Sequence, residues 1–218
     1  MLKVERLVVN IGTANILRDA HLEVRPGAMC GLIGRNGAGK TTFMRSVMGL
    51  LPVRSGRMAF GDLDLRGVPA HRRAHLGIGY MPEDRRLVPD FSSQDNILLP
   101  VLATHMGDAA GRLAWVYRLM PEVRQFAARR ASELSGGQQK LVALARALMC
   151  GGKLLLLDEP FEGVAPALAK RLAAVLSDLK DEGLSVLLAE SNERHVAELL
   201  DAVYVIERGG IHAAGGAG

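Results

Sequence analysis

The segment Gly34-Arg35-Asn36-Gly37-Ala38-Gly39-Lys40-Thr41-Thr42 restricts the fold more than any other stretch of the chain. It fits G-x-x-x-x-G-K-[ST], a turn that needs a strand before it and a helix after it. Both are expected: Met29 to Ile33 is an apolar strand, and Lys40 to about Met48 reads as a helix. Gly34, Gly37 and Gly39 let successive backbone N–H groups, those of Asn36 and Ala38 among them, turn inward around phosphate oxygens. The helix N-terminus behind them adds its partial positive charge. Lys40 is expected at the β- and γ-phosphates of a nucleotide, Thr41 at Mg²⁺, and Thr42 at the α-phosphate. ATP and Mg²⁺ are the implied ligands.

A second run, Leu154-Leu155-Leu156-Leu157-Asp158-Glu159-Pro160, reads as a buried strand delivering two carboxylates at its end. Alone it is a weak signal, because acidic residues often end strands and cap helices. Beside a phosphate loop, Asp158 is expected to position the metal, and Glu159 to polarise a water in line with the γ-phosphorus.

Around these motifs the pattern alternates strand and helix. Leu2 to Val9, Leu22 to Val24, Arg57 to Phe60 and Ile78 to Met81 read as strands. From about Ser92 to Cys150 the character is helical, with helices over Arg112 to Met120 and Val123 to Arg130 and a longer one from near Gly137. Strand and helix then resume: Lys153 to Leu157, a helix over Pro166 to Asp181, Ser185 to Ala189, a helix over Asn192 to Leu200, and a last strand at Val203 to Ile206. Ala213 to Gly218 carries no fold signal. The expected fold is α/β: a phosphate-loop core with an antiparallel β subdomain, about 1–91 and 151–212, and a helical subdomain inserted at about 92–150. All 218 residues are read as one domain with a flexible tail.

Composition narrows the function. At 49% hydrophobic the chain can bury a sizeable core, yet no apolar run approaches the roughly 20 residues of a spanning helix. Lys3, Glu5 and Arg6 break the N-terminal apolar stretch, so a secretion signal is not expected and the cytoplasm is. The net charge of +4 is scattered and aromatics make up 4%, so no nucleic-acid partner is expected. Cys30 and Cys150 sit in apolar segments and read as core thiols.

The family is suggested by Leu134-Ser135-Gly136-Gly137-Gln138-Gln139, which opens a helix just before the Asp158 strand. This text resembles the ABC ATPase signature. Ser135, Gly136 and Gly137, with Gln138 behind them, make a second helix N-terminus able to meet a phosphate. In the ABC family that phosphate belongs to a nucleotide on a partner's phosphate loop, so the resemblance implies two domains closing on two ATP molecules. More narrowly, Gly34-Arg35-Asn36-Gly37, Tyr80 to Arg86, and Glu162-Gly163-Val164-Ala165-Pro166 look like the second ATPase subunit of branched-chain amino-acid importers. That resemblance implies a partner ATPase chain (a heterodimer, with a homodimer as the alternative), two membrane permease subunits and, indirectly, a periplasmic binding protein. The implied location is the cytoplasmic face of a bacterial inner membrane. Relatives in that group carry urea, amides or aromatic acids.

Three positions depart from the family. Ile11 stands where an aromatic ring usually stacks on adenine, and a base–aromatic contact is worth about 1–3 kcal/mol. Glu83 replaces the usual glutamine of the loop near Mg²⁺ and remains a candidate metal ligand. Ser191 takes the place of the switch histidine or glutamine, and one lost transition-state donor typically costs roughly 10²–10³ in rate. His195 reads as a surface residue on a helix and is not given the switch role. These departures predict a weaker site paired with a better-equipped one. The alternatives are an ABC ATPase that moves no solute and a regulatory nucleotide-binding subunit. Intact Lys40, Asp158 and Glu159 count against the second.

Overall fold

Uninterrupted apolar runs become strands buried on both faces, and alternating runs become a sheet covered on one. The computed structural model describes residues 1–104 and 107–214. β1 (Leu2–Ile11) and β2 (Ala14–Val24) form a hairpin. β3 (Met29–Ile33) then runs into the phosphate loop and α1 (Lys40–Val47). β4 (Ser55–Phe60) and β5 (Leu63–Asp64) join the hairpin in an antiparallel sheet of order β2-β1-β4-β5. After α2 (Ala70–Arg73) and β6 (Ile78–Met81) come four helices: α3 (Ser93–Thr104), α4 (Ala109–Leu119), α5 (Pro121–Gln125) and α6 (Gly136–Cys150). β7 (Leu154–Asp158), α7 (Pro166–Asp181), β8 (Ser185–Glu190), β9 (Ala202–Glu207) and β10 (Gly210–Ala213) complete the described chain. The second sheet has the order β10-β9-β3-β8-β7-β6, parallel throughout except for the edge strand β10.

The parallel sheet divides the core. Leu155 and Leu157 of β7 pack with Leu144 and Leu148 of α6 and Leu172 and Leu176 of α7. Their neighbours Leu154 and Leu156 face the other way, toward Phe43 and Met44 of α1 and Leu17 of the β hairpin. A parallel strand covered on both faces must be apolar at every position. That requirement explains the unbroken Leu154 to Leu157 and its burial. Cys30 and Cys150 are buried and unpaired, with burial pushing both thiols up to about 11, so they remain thiols at neutral pH.

Several elements differ from the sequence reading. β2 spans eleven residues and not only Leu22 to Val24, because its polar outer face hides the alternation. Ser93–Thr104 forms a helix of its own, and the expected helix over Val123 to Arg130 stops at Gln125. The carbonyls of Ala127 and Arg129 instead accept from the N–H groups of Gln94 and Ser93, satisfying the first turn of α3. The expected helix over Asn192 to Leu200 is reduced to one 3-10 turn, Ala197–Leu199. The Asn192 side chain accepts from the Arg194 N–H, a local bond that competes with a helical start. Ala213 ends β10, and Ala214 donates to the Val203 carbonyl at 2.8 Å, so the tail is tied to the sheet this far. Residues 215–218 lie outside the described residues. None of the described helices is long and apolar enough to cross a membrane.

α6 lies unusually close to β6. A Cβ on Gly79 would sit 2.2 Å from the Ala147 carbonyl oxygen and 2.8 Å from the Gly151 Cα. Both are backbone, so neither can swing aside. Gly79→Ala is expected to lower unfolding stability by about 1–3 kcal/mol, the range for overpacking, read as a shifted midpoint in urea.

Candidate functional site

Both sequence-predicted motif strands end at the same edge. β3 leads into the phosphate loop and β7 delivers Asp158 and Glu159, with β8 hydrogen-bonded between them. Gly34 begins the loop by donating its N–H to the Glu190 carbonyl at 3.0 Å. No side chain fits there, because a Cβ would lie 2.5 Å from the Ile206 carbonyl oxygen. Gly37 and Gly39 hold left-handed φ values of 80° and 115°, which glycine adopts without strain.

Lys40 is 3% exposed and its ammonium lies 2.9 Å from Glu159 Oε1. It also donates to the carbonyls of Gly34 and Arg35 at 2.6 and 3.2 Å. The other carboxylate oxygen of Glu159, Oε2, is buried with no hydrogen-bond donor. Carboxylate oxygens of Glu83, Glu159 and Glu162 lie within 4.8 Å of one another. Proximity to the Glu159 carboxylate and, after it, desolvation hold the Glu162 carboxyl above its ordinary value.

Asp158 accepts from Thr41 Oγ1 and from the Tyr80 hydroxyl, both at 3.2 Å. Burial pushes its carboxyl up to about 6, while those two hydrogen bonds pull the other way. Thr41 and Asp158 supply hard oxygen donors, and the orphaned Glu159 Oε2 adds a third nearby. That donor set suits Mg²⁺.

A cavity of about 400 Å³ is bounded by the phosphate loop, Glu83 and Glu159, and on one side by Ile16. Ile11 does not line it: this residue ends β1 opposite Ala14 and is 48% exposed. Ile16, on the part of β2 that the sequence reading left out, is the apolar side chain at the cavity wall. Ser191 Oγ donates to Asn36 Oδ1 at 2.8 Å, which places the switch position against the phosphate loop. His195 stands in an exposed turn and stacks on Phe161, with ring centroids 5.3 Å apart. It makes no contact with the loop among the described interactions.

The helix carrying Ser135, Gly136 and Gly137 stands apart from this cavity. Ser135 Oγ accepts from the Gln138 N–H at 3.3 Å, and the Gln138 side chain accepts from the Ser135 N–H at 3.0 Å. This capping box turns Gln138 back on its own helix and leaves the N–H groups of Gly136 and Gly137 at the N-terminus. The same helix grips the loop after Glu83. Arg146 donates to the carbonyls of Arg85 and Arg86, and Arg85 donates to Gln139 Oε1 at 3.1 Å. Arg85 and Arg86 both adopt left-handed φ, 60° and 48°, so the loop turns sharply where α6 holds it. The sequence reading took Tyr80 to Arg86 as family-like text, and nothing in it signalled these contacts.

The chain belongs to the ABC transporter family, whose description matches residues 17–162. It is an ATP-hydrolysing subunit of a transporter. Across 97% of the chain it is 33% identical to the high-affinity branched-chain amino acid transport ATP-binding protein BraG of Pseudomonas aeruginosa, covering 91% of that protein. Across 92% it is 34% identical to the lipopolysaccharide export system ATP-binding protein LptB of Escherichia coli strain K12, covering 84% of that protein. The fold matches a crystal structure of a nucleotide-free ATP-binding cassette from an ABC transporter, with TM-score 0.84, 27% identity, and coverage of 97% and 89% of the two chains.

Glu190, at the end of β8, accepts from the Phe161 N–H at 2.9 Å, and burial pushes its carboxyl up to about 7 from 4.5. The native chain therefore binds a proton there that the unfolded chain releases between those values, so this group's contribution to stability falls as pH rises through that window. Glu190→Gln keeps the acceptor and removes the titration. Thermal melts between about pH 5 and about pH 8 are expected to show a flatter decline for the variant than for the wild type.

Proposed function

We propose that this chain binds Mg²⁺-ATP at its phosphate loop and hydrolyses it across an interface with a second ATPase subunit, powering a bacterial importer of branched-chain amino acids or close analogues. The observation carrying the catalytic part is the buried Lys40–Glu159 pair at the mouth of the phosphate loop. The cargo rests on the likeness to the branched-chain amino acid protein, which extends over nearly the whole chain. The lipopolysaccharide export protein is equally similar, so export of a lipid-linked glycan is the second reading.

In this reading the N–H groups of the loop from Gly34 to Gly39 and the start of α1 receive the phosphates, with Thr42 at the α-phosphate. Thr41 and Asp158 hold Mg²⁺, and Glu83 faces the same space. Mg²⁺ held by these residues would offset the charge that develops as the γ-phosphoryl leaves. Incoming phosphate oxygens compete with Glu159 for the Lys40 ammonium. Once Lys40 turns to them, the Glu159 carboxylate is released from its ion pair. Glu159 then serves as general base toward a water. Ser135, Gly136 and Gly137 serve the nucleotide of the neighbouring subunit, because their helix end does not line this chain's own cavity.

Ser191 offers a short neutral donor, already bonded to Asn36, in place of the family's switch residue. Ile16 contributes an apolar wall where no aromatic platform stands. Both features favour an unequal dimer in which this chain's site is the slower. The ATPase pair sits at the cytoplasmic face of the inner membrane beneath two permease subunits, which a periplasmic binding protein feeds from the other side.

Glu159→Gln is expected to cut ATP turnover by about 10²–10⁴, the contribution of a positioned general base, with ATP binding retained. The chain alone should turn over more slowly than the chain with its partner ATPase. Fast turnover by the isolated wild type, abolished by Glu159→Gln, would argue against the weakened site. Solute uptake by membranes carrying the assembly decides the cargo: leucine accumulation supports import, and transfer of a lipid-linked glycan supports the second reading.

A further inference from the structure

The turn that carries Glu159 is gripped from two sides. Lys140, on α6, is 7% exposed and donates to the carbonyls of Glu159 and Pro160 at 3.0 and 3.1 Å and to that of Glu162. Glu190, on β8, takes the Phe161 N–H, while the Glu159 N–H goes to the Ala189 carbonyl and the Glu162 N–H to the Glu159 carbonyl. Every N–H of the turn is thereby fixed, Pro160 having none. Glu159 itself sits at φ 50°, a left-handed conformation that a side-chain-bearing residue keeps only when its surroundings impose it.

Lys140 follows Gly136 by four residues, which puts the two on one face of α6 about 6 Å apart along the axis. An ammonium buried this deeply costs free energy unless it is paired, and burial lowers the pKa of Lys140 accordingly. Three converging carbonyls, with Glu190 nearby, compensate that cost. The result is a rigid strut from the helix end that meets the neighbour's phosphate to the backbone of this chain's own base.

We infer that Lys140 is a positioning residue, which fixes the Glu159 carboxylate through the 159–162 turn and ties its orientation to the seating of α6. This inference rests on the reading of Glu159 as the base. A displaced α6 N-terminus would carry Lys140 with it and tilt Glu159 away from the attacking water. Seating α6 on a neighbour's γ-phosphate would restore the base, so that hydrolysis waits for dimer closure.

The test compares full-length wild type with Lys140→Met, Lys140→Arg and Glu159→Gln in whichever assembly gives the wild type its highest turnover. Lys140→Met is expected to lower kcat about 10- to 100-fold, the cost of moving a reacting group by about 1 Å. KM for ATP and the affinity for a fluorescent ATP analogue should stay within about twofold, and Lys140→Arg should recover most of kcat. If Lys140→Met does not fold, Lys140→Gln is read by the same criteria. Wild-type kcat in the Met or Gln variant, beside an inactive Glu159→Gln, overturns the inference. So does loss of kcat and ATP affinity in parallel. Full activity of Glu159→Gln overturns instead the reading on which the inference stands.

Discussion

The site depends on an ammonium and a carboxylate that share a dry space. Lys40 and Glu159 lie far apart in the sequence, and both are almost fully buried. Removing either partner of such a pair leaves a buried charge without compensation, a loss of about 3–5 kcal/mol. Their encounter follows from sheet order. With β8 between β3 and β7, the phosphate loop and the Asp158–Glu159 turn are two strands apart at one edge. The parallel sheet therefore fixes the distance across which a nucleotide must fit. In the proposed function the pair also sets a condition on chemistry, because phosphate has to displace one member before the other is free to act as a base.

A second constraint acts through α6. Arg146 and Gln139 hold the loop after Glu83, and Lys140 holds the turn after Glu159. The two acidic groups facing the phosphate loop from beyond it are thus attached to one helix, whose N-terminus presents the N–H groups of Gly136 and Gly137. A helix moves as a rigid body, so a shift at its end is delivered to both loops together. Gly79 lets the other end of α6 rest directly on β6 backbone, which gives the helix a fixed pivot. Contact with a neighbouring subunit and arrangement of the local carboxylates are, in the proposed function, two readings of one helix position.

The phosphate loop, the Leu154 to Asp158 strand and the α7 helix were legible because each is local: a glycine spacing, an unbroken apolar run, a helical period. What escaped were contacts between segments far apart in sequence. Ile16 lay hidden in a strand whose exposed face is polar, so the antiparallel sheet read shorter than it is, while the family resemblance pointed to Ile11 at the turn. Tyr80 and Glu162 appeared in the sequence only as parts of family-like text. Their contacts with Asp158 and Glu159 arise from the register of β6 beside β7 and from a turn at positive φ. The Asn192 to Leu200 segment misled for a local reason, since apolar spacing favoured a helix and one asparagine side-chain bond supplied an alternative.

Ser191 shows how one side chain at the end of β8 redistributes work within the site. Its hydroxyl reaches Asn36 and stops there, and as a neutral donor shared with an amide oxygen it has little left for a phosphate. The Glu190 immediately before it points away from the phosphate loop, into the turn below Glu159. In this chain the end of β8 thus holds the turn after Glu159 and the phosphate loop in place. In the proposed function the phosphates meet other groups: the N–H groups of the phosphate loop, Lys40, and a helix end supplied by the other subunit. In the proposed function such a site is strong in positioning and short of one γ-phosphate donor, and that deficit makes an unequal partner the better match for it.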